Sequence, residues 1–101
     1  MIKFEWDELK NIKSRRKHDV DFIEALSVFY DEDALLISDP SHSEFEERFI
    51  LLGMSSLANL LIVCHCYKSN DEIVRIISAR KATENEAKQY AERKLSYEKR
   101  I

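Results

Sequence analysis

The sequence predicts an α+β fold: two helices near the start, an antiparallel β-meander, and a closing helix. Three observations carry this. An apolar stripe at helical spacing, Phe22, Ala25, Leu26 and Phe29, comes before every long β-like run. Apolar and β-branched runs then follow one another between about residues 34 and 80, separated by short segments of turn chemistry. After them, Thr83-Glu84-Asn85-Glu86 has the form of a helix capping box, with a Thr for the exposed amides and a Glu three residues on to reach back.

In order along the chain, Ile2, Phe4 and Trp6 alternate with Lys3 and Glu5, as in a short half-buried strand. Asp7 is placed to cap a helix over about residues 8–17. Its apolar positions are few, Leu9 and Ile12, so it belongs on the outside. His18-Asp19-Val20 breaks it. Asp21 and Glu24 form a second capping box with Val20 as a staple, and the Phe22–Phe29 stripe that follows is core. Asp31-Glu32-Asp33 ends that helix in solvent. Ala34 through Ile37 make a short strand, stopped by Ser38 through Ser43. Glu47 through Leu52 make the next, closed by Gly53. Leu57 through Tyr67 are apolar on both sides, as in a central strand covered on both faces. Lys68-Ser69-Asn70-Asp71 turns the chain back into a strand over about residues 72–80. The last helix starts near residue 84, with Ala87, Tyr90, Ala91 and Leu95 as its packing face.

With 101 residues, 45% hydrophobic and 35% charged, the chain reads as one globular domain over 1–101. No apolar run approaches the roughly 20 residues of a membrane span. The start of the chain lacks the apolar core of a signal peptide, so a cytoplasmic setting with no membrane partner is expected. The net charge of −3 does not mark a nucleic-acid binder, yet it is unevenly placed. Lys13 through His18 is cationic or neutral, and from Asp31 to Glu47 every charged side chain is acidic. Cys64 and Cys66 share one face of a strand, too close in sequence for an ordinary disulfide. Free buried thiols in a reducing compartment are expected. A metal site with His65 is disfavoured because His65 points to the other face.

One set of residues carries a family resemblance over nearly the whole chain. In the first half it is Trp6-Asp7, Lys10, Lys17-His18, Val20, Phe22, Ala25, Phe29 and Asp31. In the second it is His42, Glu47-Arg48, Gly53, Val63 to His65, the string Arg75-Ile76-Ile77-Ser78-Ala79-Arg80, then Ala82, Glu86 and Tyr90. This series resembles the BrnT toxins. Ser14 and Asp19 depart from the family pattern, which often has Asn and a small residue there. The resemblance implies a RelE-like fold and the toxin role of a type II toxin–antitoxin pair. It also implies an endoribonuclease that inhibits translation. The implied partner is a ribbon-helix-helix antitoxin of the BrnA type, so DNA is met only through the antitoxin.

RNA carries its own nucleophile, the 2′-hydroxyl, so a protein can cleave it without a metal or other cofactor by holding the phosphate and moving a proton. Histidine suits the proton and arginine the phosphate. The candidates for catalysis are His18, His65, Arg48, Arg75 and Arg80, with Arg16, Lys17 and Lys81 for RNA binding. Each also has a plain reading. His18 can cap the first helix, His65 can be a hydrogen-bonded core residue, His42 a solvated loop residue, and the arginines members of ion pairs. Arg75 and Arg80 differ in parity, which places them on opposite sheet faces. One hairpin register sets His65 opposite Arg75. The other sets it opposite Ile76, with Arg80 on the same face. A metal-nuclease site from Asp31, Glu32, Asp33, Asp39 and His42 lacks any spacing that fixes octahedral geometry. The competing function is a non-catalytic, antitoxin-binding co-repressor module.

Overall fold

A computed structural model of the chain describes residues 2–39 and 46–100, with side chains described up to residue 96; His42 lies outside the described residues. The elements are β1 (Lys3–Trp6), α1 (Glu8–His18), α2 (Phe22–Ser27), a 3₁₀ turn (Val28–Tyr30), β2 (Leu35–Ser38), β3 (Phe49–Met54), β4 (Leu60–Lys68), β5 (Ile73–Lys81) and α3 (Glu84–Arg100). The strands form one sheet in the order β1-β5-β4-β3-β2.

From β2 to β5 the sheet is the expected antiparallel meander. β1, whose direction the sequence leaves open, makes the sheet mixed: it lies parallel to β5, with Lys3 beside Ile73 and Trp6 beside Ile76. Alternation in residues 2–6 specifies which face is buried, but not the direction of the neighbour. A parallel neighbour needs a long crossover, and the two helices and the meander provide one.

The helices α1 and α2 and the 3₁₀ turn cover one face. Val20, Phe22, Ala25 and Val28 pack there on Leu51, Leu61, Val63, Ile76 and Ala79. Burial of Phe22 alone contributes about 1.5–3 kcal/mol. The second face has a smaller core of Leu52, Ile62 and Tyr90, with Tyr90 supplied by α3. α3 packs less than expected. Tyr90 is buried and Ala87 half-buried, but Ala91 is exposed and Leu95 is 56% exposed. Its start is the predicted capping box: the Thr83 amide donates to Glu86 Oε1 (2.8 Å) and the Glu86 amide to Thr83 Oγ1 (3.2 Å). The second box is half-formed. Asp21 accepts the Ile23 amide at 2.9 Å, but Glu24 turns inward to Ser55 Oγ (2.6 Å) and Asn59 Nδ2 (2.9 Å).

Two features overturn the facing expected from sequence. On α1, Leu9 is 70% exposed, and the buried positions are Asn11 and Ser14. Asn11 Oδ1 accepts the Phe22 amide at 2.9 Å, and Ser14 Oγ lies 2.8 Å from the carbonyl of Val20 and 3.3 Å from that of Ala79. The helix is held by hydrogen bonds where an apolar stripe is usual. On β5, Arg75 stands opposite Cys66 and Ile76 opposite His65, but Ser78 stands opposite Cys64. Ile77 is the extra residue of a β-bulge. The bulge reverses parity beyond it, so neither uniform register holds. Arg75 and Arg80 therefore share the face that α3 partly covers, and His65 and Ala79 share the other.

Gly53, expected to close β3, lies inside it. A Cβ there would sit 2.8 Å from Val28 Cγ1 and 2.9 Å from Ala34 Cβ, so the turn after α2 rests directly on the glycine. Gly53→Ala should destabilise the fold by about 1–3 kcal/mol, read from urea unfolding midpoints. A variant as stable as the parent would show that this contact relaxes freely.

Candidate nucleic-acid interface

α1 ends in cations because of its cap and its sequence. Asp7 accepts the Leu9 amide at the N-terminus, and Arg15, Arg16, Lys17 and His18 occupy the last turn, where exposed carbonyls favour positive charge. Asp19, in the left-handed conformation at φ 57°, closes the helix with its amide on the Arg15 carbonyl. The inward direction of Asn11 and Ser14 then fixes the helix rotation. Lys10, Lys13, Lys17 and His18 line a cleft of about 250 Å³ between α1 and β5, floored by Ser14, Phe22 and the bulge residues Ile77, Ser78 and Ala79.

No carboxylate lines this cleft. Among the described residues, none of its four cationic or titratable side chains has a carboxylate within 4.0 Å. Neighbouring Arg15 differs: it lies 3.2 Å from Asp21 and 3.8 Å from Glu8. The bulge adds a chemical element, because the extra residue leaves the strand ladder and its backbone polar groups need other partners. The cleft thus combines three ammonium groups, one imidazole and irregular backbone, an arrangement suited to a polyanion with a reacting proton.

The three arginines expected for catalysis lie outside this cleft, each within ion-pair distance of a carboxylate. Arg75 Nη1 donates to Glu5 Oε2 at 2.6 Å across the parallel β1–β5 pair. Arg80 grips both oxygens of Glu86, at 2.8 and 2.9 Å. That Arg80 bond, with help from the Thr83 amide, lowers the Glu86 carboxyl to about 2. Arg48 Nε lies 3.5 Å from Glu46 Oε1. Arg16 and Lys81 are exposed, on α1 and at the end of β5.

His65 is fully buried among aromatic rings, with ring centroids 4.8 Å from Phe29 and 5.2 Å from Tyr67. Its Nδ1 lies 3.2 Å from the Val63 carbonyl, which can only accept, so Nδ1 carries the proton. Nε2, 3.2 Å from the Tyr67 hydroxyl, is then the acceptor. Burial pushes its pKa down, keeping the ring neutral. The two cysteines are free and buried. Burial, reinforced by the Asp39 carboxylate, raises the Cys64 thiol to about 11, far from a reactive thiolate. Among the described residues no three His, Cys, Asp or Glu side chains are grouped to hold a metal ion. No described helix is long and apolar enough to cross a membrane.

Of the eight expected site residues, Lys17 and His18 line this cleft, while Arg75 and Arg80 share the opposite sheet face. The structure adds to the cleft Lys10 and Lys13, whose spacing from Lys17 (i, i+3, i+7) marks one helical face. That signal is present in the sequence, but it is a cationic stripe and not an apolar one.

A family model described as the ribonuclease toxin BrnT of type II toxin–antitoxin systems matches residues 6–86. Among solved structures, the ribonuclease toxin BrnT of Brucella abortus is similar, with a TM-score of 0.62 and 22% identity over 83% of this chain and 100% of that one. At this identity the likeness is one of fold. Comparison with curated proteins gives no match.

The neutral, buried His65 ties stability to pH. Its folded pKa lies below the ordinary 6.5, so the unfolded chain takes up its proton first as pH falls. The stabilisation is fully present above about pH 6.5 and is lost progressively below it. Urea midpoints should fall between pH 7.5 and 5.5, and His65→Phe, which keeps a ring in place, should flatten that decline. Equal slopes in the two proteins would remove His65 as the cause.

Proposed function

The chain belongs to the BrnT family of ribonuclease toxins of type II toxin–antitoxin systems, and on that premise we propose that RNA is held and cut in the cleft between α1 and β5, without a metal. Membership gives the protein an RNA target and an antitoxin partner. The observation that carries the assignment of the site is the row of Lys10, Lys13, Lys17 and His18 along one cleft that no carboxylate lines.

In this reading the three ammonium groups hold the phosphates flanking the scissile bond. Their charge also stabilises the extra negative charge that develops as phosphorus becomes five-coordinate. His18 takes the proton of the 2′-hydroxyl as O2′ attacks phosphorus. The bond from phosphorus to O5′ breaks, and that oxygen takes a proton from a neighbouring ammonium group. The products are a 2′,3′-cyclic phosphate and a 5′-hydroxyl. The Arg75–Glu5 and Arg80–Glu86 pairs and His65 serve the sheet and the start of α3. Cleavage of RNA in the cytoplasm arrests translation, and a ribbon-helix-helix antitoxin neutralises the toxin and supplies the contact with DNA.

Purified protein incubated with RNA should cleave it in excess EDTA. His18→Ala should lower the rate by about 10²–10⁴-fold with the fold intact by circular dichroism. Lys13→Glu should weaken RNA binding and shallow its dependence on salt. Arg75→Ala and Arg80→Ala should cleave within about tenfold of the parent, because neither reaches the cleft. A fully active His18→Ala protein would defeat the assignment. Loss of cleavage in EDTA with rescue by magnesium would defeat metal independence. A protein that binds antitoxin but never cleaves would be the co-repressor module.

A further inference from the structure

We propose that the outer edge of β2 receives an extended segment of the antitoxin as a sixth strand, with apolar residues at alternate positions and Lys or Arg at its flanks. This rests on the family reading for the existence of the antitoxin, and adds where and how it docks.

Among the described residues β2 ends the sheet, so one side of its backbone has no described strand beside it. Which groups face outward follows from its pairing with β3. The Asp39 amide donates to the Arg48 carbonyl at 3.0 Å, so residues 39 and 48 are a hydrogen-bonded pair in an antiparallel ladder. Alternation then turns the amides and carbonyls of Ile37 and Leu35 towards β3 and those of Leu36 and Ser38 outward. An added strand meets two residues' worth of donors and acceptors there.

The other edge, β1, carries Lys3 and Glu5, with Glu5 fixed by Arg75. Charges of this kind keep strangers from pairing with a sheet edge. β2 has none: Leu35-Leu36-Ile37-Ser38 has no charge, no proline and no bulge, and Leu36 and Ile37 are 50% and 39% exposed. An unguarded edge of this kind is a template for a partner strand.

Charge selects the partner. Residues 31–39 and 46–47 hold Asp31, Glu32, Asp33, Asp39, Glu46 and Glu47 and no Lys or Arg. Asp33 is met by Lys94 at 3.9 Å and Glu46 by Arg48, whereas Glu32 and Glu47 are exposed. A second copy of this chain would bring the same acids against these, a repulsive match. A segment with basic flanks is attracted.

The test uses the intact toxin and its cognate antitoxin. In the complex, the amides of Leu36 and Ser38 should change from fast to protected hydrogen exchange. Leu36→Pro removes one outward donor at an edge position that tolerates proline, and Leu36→Lys sets a cation against the incoming flank. Each should weaken antitoxin binding by about tenfold or more while RNA cleavage by the free toxin is unchanged. Unprotected Leu36 and Ser38 amides in a formed complex, or parental affinity in both variants, would overturn the proposal and leave the family reading intact. A parent toxin that neither cleaves RNA nor binds the antitoxin would overturn both. Self-association through β2 with antitoxin binding elsewhere would assign the edge to a second copy and defeat this occupant.

Discussion

The buried hydrogen bonds of α1 are the constraint on which the cleft depends. Apolar packing lets a surface helix slide or rotate at small cost. Directional bonds do not, and a buried donor or acceptor left unpaired costs about 1–3 kcal/mol. Asn11 accepts the amide of Phe22 and so fixes the corner into α2, while Ser14 meets carbonyls of both the corner and β5. With two inward positions pinned, the rotation of α1 is set and its lysine stripe has one place to go, over the bulge. The price of that precision is a helix with almost no apolar attachment.

Two acids withdrawn from solvent, Glu24 and Asp31, perform a similar task elsewhere in the fold. Glu24 joins α2 to the β3–β4 turn through Ser55 and Asn59. Asp31 accepts the Met54 amide and the Tyr90 hydroxyl, both at 2.7 Å. Burial raises the Asp31 carboxyl, but these bonds outweigh it and hold the group below its usual range. Asp31, which the sequence places in an acidic, solvated segment, is thus an internal clamp and only half exposed.

The sequence legibly carried the succession of elements, the Phe22–Phe29 core stripe, the three cap residues Asp7, Asp21 and Thr83 and the antiparallel meander, because each rests on local periodicity or turn chemistry. What it hid were relations between segments. The bulge at Ile77 has no glycine to announce it, and uniform alternation from Arg75 to Arg80 assigns to opposite faces two side chains that share one. The parallel direction of β1 depends on a crossover that no local pattern encodes. The inner face of α1 is polar, so apolar spacing points to Leu9 and passes over Asn11 and Ser14. For the candidate interface, Lys17 and His18 were visible as charge beside a helix break. Their separation from the arginines follows from the bulge and from carboxylates distant in sequence, Glu5 lying 70 residues from Arg75.

The attachment of α3 has a consequence for how the molecule breathes. The helix is fastened at its first turn by Thr83, Glu86 and Arg80, again at Tyr90, and beyond that, among the described residues, by the Lys94–Asp33 pair at 3.9 Å; from 91 to 96 every side chain is exposed. Detaching it uncovers Leu52 and Ile62 and leaves the larger core, under α1 and α2, untouched. α3 is therefore a separable cooperative unit, whose opening free energy lies below that of the sheet. Opening of its far turns leaves the sheet and the α1 corner in place beneath, because the larger core takes no side chain from α3.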